Sequence, residues 1–372
     1  MRSDSGAGAR ALWNFSSGPA RLPDTVLARA GEVLFARGAD GASALERPFT
    51  GASFREVLAG ARQRLVRLLG VPGNYRVLFL AGGAMHQFSA VPLNLLDRAR
   101  GLARIACADS GYWSRRAIDE AGRYAEVTVV ARHAGATALS APEGGQWRVP
   151  PGSAYCHITA NETVDGIAYP EWPDTGPVPL VADASSCFLA APLDVSKFGL
   201  IYASAQKNIG VAGLTVVIVR EDLLQRPAAL APSPFCYRLQ AEQDSFVNTP
   251  PTLAIHLAAM MFDWIADSGA LPAMAAANRR KATLVYDAVA ASDGFYVAPV
   301  APAHRSNTNL RFHLADDALT ARFLAEAEAD GLANLRGHPH VGGLRASLYN
   351  AMPEAGAAAL AGFMAGFARR HG

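Results

Sequence analysis

The sequence predicts an α/β fold on a mainly parallel sheet, followed by a smaller α+β portion. Three observations carry this expectation. Short apolar runs recur along the first two-thirds of the chain, and several are apolar at every position, as strands covered on both faces would be. Longer helical patterns separate some of these runs. After about residue 255 the texture changes: a long apolar helix, "TLAIHLAAMMFDWIADSG", leads into sparser strand and helix patterns.

In chain order, the opening "MRSDSGAGARALWNF" has no apolar signal core and reads as a frayed arm over 1–13. Phe54, Val57, Leu58, Leu65, Leu68 and Leu69 then mark one face of an amphipathic helix. The strand "YRVLFL" (75–80) runs into Gly82-Gly83 and a second helical pattern. Further strands are expected at "RIACA" (104–108), "EVTVV" (126–130), "AYCHI" (154–158), "VPLVAD" (178–183), "LIYAS" (200–204) and "LTVVIV" (214–219). In the last part "TNLRFHL" (308–314) and "GLRASL" (343–348) read as strands. The expected division is a large domain over 14–255 and a small one over 256–372.

A chain of 372 residues can bury a large core and divide into two domains. Apolar residues make up 51% and charged residues 18%, which excludes a disordered chain. The net charge is +2, without a run of five like charges, so neither nucleic acid nor a membrane surface is expected as a partner. No apolar run reaches membrane-spanning length, and a cytoplasmic location is expected. Cys107, Cys156, Cys187 and Cys236 are scattered without a C-x-x-C pair, so four free buried thiols are expected and no metal site.

Only three of the 34 basic residues are lysines: Lys197, Lys207 and Lys281. Arginine therefore serves wherever a plain positive charge suffices, and Lys207, inside "YASAQKNIGVAGLT", calls for another reason. A lysine amine can form a Schiff base and a guanidinium cannot. Gly82-Gly83 before a helix could let the backbone approach a phosphate, although a packing turn would look the same. Asp183 stands at the carboxyl end of a buried strand, where ligands of open α/β sheets collect, or it caps the following turn. Trp113, in "DSGYWS", could stack on a flat ring or fill a core. Together these residues fit pyridoxal 5′-phosphate (PLP), which needs a lysine, an acid at its pyridine nitrogen, a phosphate cup and a stacking face.

"NFSSGPA" (14–20), "GYW" (111–113), "NETVDG" (161–166), "AQKNIG" (205–210), "AGLTVVIVREDLL" (212–224), "NTPPT" (248–252), "VGGLRAS" (341–347) and "YNAMP" (349–353) resemble, in order and spacing, the phosphoserine aminotransferase family. These are class V aminotransferases on the fold-type I PLP scaffold, which implies a mainly parallel seven-stranded sheet in the large domain. The resemblance makes Lys207 the Schiff-base lysine, Asp183 the pyridine-nitrogen partner and Trp113 the stacking ring. Thr163, Ser185 and Gln206 match cofactor contacts, and Ala84 and Met85 occupy the phosphate-cup turn. Asn248 and Thr249 match residues that reach a neighbouring subunit's cofactor phosphate, implying a homodimer with a composite site. Arg345 matches the arginine that grips the substrate α-carboxylate, for which a bidentate fork is suited.

Three departures bear on the substrate. Where the family carries a His-Arg pair, this chain has Phe49 and Thr50. Met85 replaces an arginine after the glycine run. "GHPHVGG" keeps His338 but has Pro339 in place of arginine, with His340 next. Arg47 could shift into the first of these loops, and Arg115, Arg116 and His86 are other nearby cations. A dianion needs several cationic donors, so the expected substrate is a small neutral or apolar amino acid and its 2-oxo acid. The alternatives are the ordinary phosphoserine reaction and a PLP-dependent lyase or decarboxylase on the same scaffold.

Overall fold

The computed structural model describes residues 12–38, 40–133, 138–226 and 230–372, so most of the expected N-terminal arm lies outside the described residues. The chain begins with β1 (Trp13–Asn14), α1 (Asp24–Leu34) and α2 (Ala52–Leu69), then β2 (Tyr75–Ala81) and α3 (Ala84–Leu95). Next come β3 (Arg104–Asp109), α4 (Tyr112–Ala121), β4 (Glu126–Arg132), β5 (Ser153–Thr159), the short β6 (Asn161–Glu162) and β7 (Ile167–Ala168), and β8 (Leu180–Asp183). They lead to β9 (Leu200–Ser204), β10 (Leu214–Arg220), α5 (Glu221–Leu224), α6 (Tyr237–Glu242), α7 (Thr252–Asp267) and α8 (Ala270–Ala290). The last elements are β11 (Tyr296–Val297), β12 (Asn309–Leu314), α9 (Thr320–Ala329), β13 (Leu332–Ala333), β14 (Leu344–Ser347) and α10 (Glu354–His371).

Seven strands form the main sheet in the order β2-β10-β9-β8-β5-β3-β4. They are the seven runs expected from the sequence, with bounds moved by at most two residues. Only β10 opposes its neighbours; every other recorded pair is parallel. Alternate side chains of one strand enter different cores. Val77 and Phe79 of β2 join Phe54, Leu58 and Leu65 of α2 and Phe262 of α7. Leu78 and Leu80 join Phe88 and Val91 of α3 and Ala117 of α4 on the other face. Each such large side chain contributes roughly 1.5–3 kcal/mol by leaving water. A charge at Val217, fully buried in β10, would break the layer.

A separate core gathers Phe312 of β12, Leu344 and Ala346 of β14, Phe323 of α9 and Leu360 and Phe367 of α10. Phe15 belongs to it, because β1 pairs with β13 in parallel. The two cores share α8: Leu271 and Met274 pack with the large sheet, and Ala282, Val285 and Val289 pack with the smaller one. Helix α7, which residues 255 and 256 both occupy, packs into the first core. We propose that the division between domains falls along α8.

What positions the site is the carboxyl edge of the sheet. β2 ends before Gly82, where φ is +112°; β3 before Gly111; β5 before Glu162 and Thr163; β8 at Asp183; and β9 shortly before Lys207. Four of these five strands are adjacent and the fifth, β2, lies one strand away, so residues spread over more than 120 positions converge.

Candidate active site

Lys207 leaves the end of β9 in a turn that leads into β10. The Lys207 Nζ donates to Thr163 Oγ1 at 2.7 Å and lies 6.0 Å from the Trp113 ring centroid. Part of the stem is open to solvent while the amine is enclosed. Burial lowers this amine to about 8, against the opposing pull of Asp183 and Cys187. An amine near neutrality is one that can act as a nucleophile.

Asp183 is 6% exposed at the end of β8, and its Oδ1 accepts from the Ser185 N–H at 2.9 Å. Burial raises its carboxyl, while the Lys207 charge and Ser185 pull it down. Ser185 Oγ accepts from the Ser204 N–H at 3.1 Å, so its hydroxyl also ties β8 to β9. Gln206 Oε1 accepts from the Ser204 hydroxyl. Gly83 opens α3; its N–H donates to His86 Nδ1 at 3.0 Å, and Ala84 and Met85 supply the first helical N–H groups.

Arg345, on β14, donates from Nη2 to Ser17 Oγ at 2.6 Å and from Nη1 to the Thr163 carbonyl at 3.4 Å. It therefore shares Thr163 with Lys207. Tyr349 closes this side, its hydroxyl donating to the Ser17 carbonyl at 3.0 Å and accepting from Asn309 Nδ2 at 3.1 Å. Over Trp113 stands Tyr112, whose ring lies 5.2 Å from that of Trp113, 4.7 Å from His338 and 5.2 Å from His340. Burial, then the charges of Arg345 and His340, lower the His338 imidazole, so it is neutral at pH 7. Pro339, between the two histidines, is exposed.

Not every expected residue gathers here. The Met85 side chain is 49% exposed and lines a cavity of about 810 Å³ between α3 and α4, with His86, Arg116 and Phe235. Lys207, Asp183, Trp113 and Arg345 do not line it. Phe49 stacks on Phe246, with centroids 6.1 Å apart, and Thr50 is exposed. Asn248 and Thr249, two residues beyond Phe246, are exposed too. Among the described residues, no hydrogen bond or ring contact joins these four to Lys207, Asp183 or Arg345. Two expected cations are already paired: Arg47 with Asp40 at 2.9 Å and Arg115 with Asp109 at 3.0 Å. The four cysteines are unpaired as expected, but Cys187 is only half-buried.

The arrangement supplies the groups that PLP needs. A buried carboxylate, a near-neutral enclosed amine and an indole whose buried Nε1 has no partner face one edge, beside a helix start with free N–H groups. Sequence reasoning missed Ser17, Glu162, Asp165, Asn309 and Tyr349. All but Asn309 lie inside the motifs "NFSSGPA", "NETVDG" and "YNAMP", and their place there was the available signal.

The family profile described as aminotransferase class V matches residues 12–360. The chain is 47% identical to the phosphoserine aminotransferase of Acidithiobacillus ferrooxidans, covering 97% of this chain and 99% of that protein. It is 46% identical to the enzyme of that name from Laribacter hongkongensis, with the same coverage. Among solved structures, phosphoserine aminotransferase from Bacillus circulans superposes with a TM-score of 0.91 at 39% identity, covering 97% of this chain and 99% of that one. A PLP-bound phosphoserine aminotransferase from Trichomonas vaginalis superposes at 0.88 with 38% identity, covering 95% and 99%. Among the described residues, no helix is long and apolar enough to cross a membrane.

Proposed function

The chain belongs to the class V aminotransferases, within the phosphoserine aminotransferase group; we propose that it moves an amino group between an L-amino acid and a 2-oxo acid, using PLP, and that its amino acid is unphosphorylated. Lys207 would hold the cofactor covalently, Asp183 its ring nitrogen and Trp113 its face. Thr163, Ser185 and Gln206 would supply polar contacts, and the N–H groups of Ala84 and Met85 the phosphate cup. When bound, PLP supplies the electron sink and carries the amino group between the two half-reactions.

The chain's own groups do the rest. Arg345, braced by Ser17 and Thr163, grips the α-carboxylate and fixes the orientation of the Cα–H bond. The Lys207 amine, once released, would carry the proton from the substrate Cα to the cofactor's reacting carbon, and in the opposite direction in the reverse half-reaction. Its lowered basicity keeps it available as a base near pH 8. Asp183, raised by burial and drawn down by Lys207 and Ser185, would accept a hydrogen bond from the protonated ring nitrogen.

One observation carries the substrate reading. The wall beyond Trp113 and Arg345 is made of Tyr112, His338 and His340, with Pro339 between the imidazoles and no arginine among them. An imidazole held below its ordinary value, as at His338, compensates a phosphate dianion poorly, whereas packed rings suit a neutral side chain. A second reading, phosphoserine with glutamate as the partner amino acid, is favoured by the names of the relatives at 46–47% identity. The exposed Thr50, Asn248 and Thr249, held side by side by the half-buried Phe49–Phe246 stack, suit a homodimer in which a second copy completes the site.

The test is a single-turnover spectrum of the PLP-loaded protein with phosphoserine, glutamate, serine, alanine and larger neutral amino acids in turn. Fast conversion by neutral amino acids, with phosphoserine inert, supports the first reading. Fast conversion by phosphoserine alone establishes the second. One equivalent of 2-oxo acid per site separates transamination from elimination or decarboxylation.

A further inference from the structure

The first turn of α4 carries Tyr112 and Trp113, and a helix start leaves N–H groups without intrahelical partners. Here none of the first three is left free. The Tyr112 N–H donates to Asp165 Oδ2, the Trp113 N–H to Glu162 Oε2 and the Ser114 N–H to Glu162 Oε1, each at 2.8 Å. The Ser110 hydroxyl adds a third bond to Glu162 at 3.2 Å. Glu162 is fully buried, and burial followed by Asp165 pushes its carboxyl up to about 7 against those bonds. A buried acid is costly, so its retention calls for a reason beyond an ordinary cap.

The surroundings supply one. Glu162 immediately precedes Thr163, which accepts from the Lys207 amine and, through its carbonyl, from Arg345. The same short segment thus sets the helix start under Trp113 and the hydroxyl at the lysine. Gly111 fits the arrangement: a Cβ there would meet Asp165 Oδ2 at 2.5 Å and the Glu162 carboxyl carbon at 2.9 Å. Only a glycine lets both carboxylates reach the turn. Asp165 also faces Arg311, at 3.9 Å, and Arg311 Nη2 donates to the Val341 carbonyl at 3.1 Å, in the loop that carries His338 and His340.

We propose that Glu162, assisted by Asp165, is a positioning residue that fixes the Trp113 ring relative to Lys207 and so sets how firmly the cofactor is held. Neither carboxylate touches the reacting atoms; both act through the main chain of α4. The inference rests on the reading that Trp113 faces the cofactor.

A double-mutant cycle tests it, with cofactor dissociation measured by equilibrium dialysis and near-ultraviolet circular dichroism recorded on the cofactor-free protein. In Glu162→Gln an amide N–H₂ must face one of the helix N–H groups, so one bond is lost and two donors abut. The expected outcome is a cofactor Kd raised by about tenfold or more, from a lost and unreplaced buried acceptor. The tryptophan dichroism should change as it does in Trp113→Phe. In the Trp113→Phe background the same E162Q change should move Kd by less than about twofold, because coupled residues are non-additive. Equal effects of E162Q in both backgrounds, or none in either, would overturn the proposal. If Trp113→Phe alone leaves Kd unchanged, the placement of Trp113 against the cofactor fails, and the proposal with it. Should E162Q not fold, Asp165→Asn enters the same cycle; it removes one acceptor and should show a smaller, still non-additive effect.

Discussion

Replacing Lys281 by methionine should change how stability depends on pH far more than it changes stability at pH 7. Lys281 is 1% exposed, and its Nζ donates to the Leu348 and Tyr349 carbonyls at 3.0 and 2.8 Å. The nearest acid acting on it is Glu354, which is itself paired with Arg280 at 2.9 Å. A neutral amine has two N–H groups, matching the two carbonyls. Burial accordingly lowers Lys281 from its ordinary 10.5 to about 7. Between those values the unfolded chain holds a proton that the folded chain does not, so stability rises with pH across the window and is flat below about 7. At 1.36 kcal/mol for each pH unit, the full rise is about 5 kcal/mol.

In Lys281→Met that rise disappears, and two carbonyls lose their partner at about 1–3 kcal/mol each. Near pH 7 the loss is offset by removal of the buried cation. By pH 10 the unaltered protein should be the more stable by a few kcal/mol. Melting curves of both proteins without cofactor, at pH 7, 8, 9 and 10, check this; groups common to both cancel in the difference. A gap in Tm that stays constant from pH 7 to 10 would refute the reasoning, since it would mean that Lys281 keeps its proton when buried.

Covalent uptake of PLP by the cofactor-free protein should accelerate as pH rises through about 8, where Lys207 loses its proton, rather than near 10; borohydride trapping and peptide mass spectrometry read the rate and the residue. Arg345→Lys should lower kcat/KM for every amino acid by about a hundredfold, because a point charge replaces the fork held by Ser17 and Thr163; steady-state kinetics across a panel of side chains shows whether the loss is uniform. Pro339→Arg, placed between His338 and His340, should raise the rate with phosphoserine by about tenfold or more relative to alanine; an unchanged ratio would separate this loop from the substrate side chain.

Most strands of the main sheet were legible because both of their faces are buried; the edge strand β4 is only half-buried along its length. Continuous apolar runs such as "LTVVIV" leave little room for another reading. The pairs β1 with β13 and β6 with β7 were not legible, since two-residue strands carry no period. Lys207, Asp183, Trp113, Thr163 and Arg345 were found by chemistry and motif, and the structure brings them to one sheet edge. Ser17 was quoted inside a motif but given no task, because its partner Arg345 lies 328 residues away. Lys281 is one of only three lysines, so the scarcity that singles out Lys207 applies to it equally, but no motif surrounds it to suggest a task. Met85 was assigned to the substrate by position in a motif; on a helix start the backbone faces the edge of the sheet while the side chain turns into the cavity between α3 and α4.

The pairing of Ser17 with Arg345 also has a meaning in time. During synthesis at ~5–20 residues per second, the 328 residues between them take roughly 15–65 s to emerge. The large sheet, complete by Arg220, can form well before that. The lysine, the acid and the stacking ring can therefore assemble on the ribosome while the grip for the carboxylate is still absent. Strand β1, the earliest described, must therefore wait for β13 to emerge before it can pair.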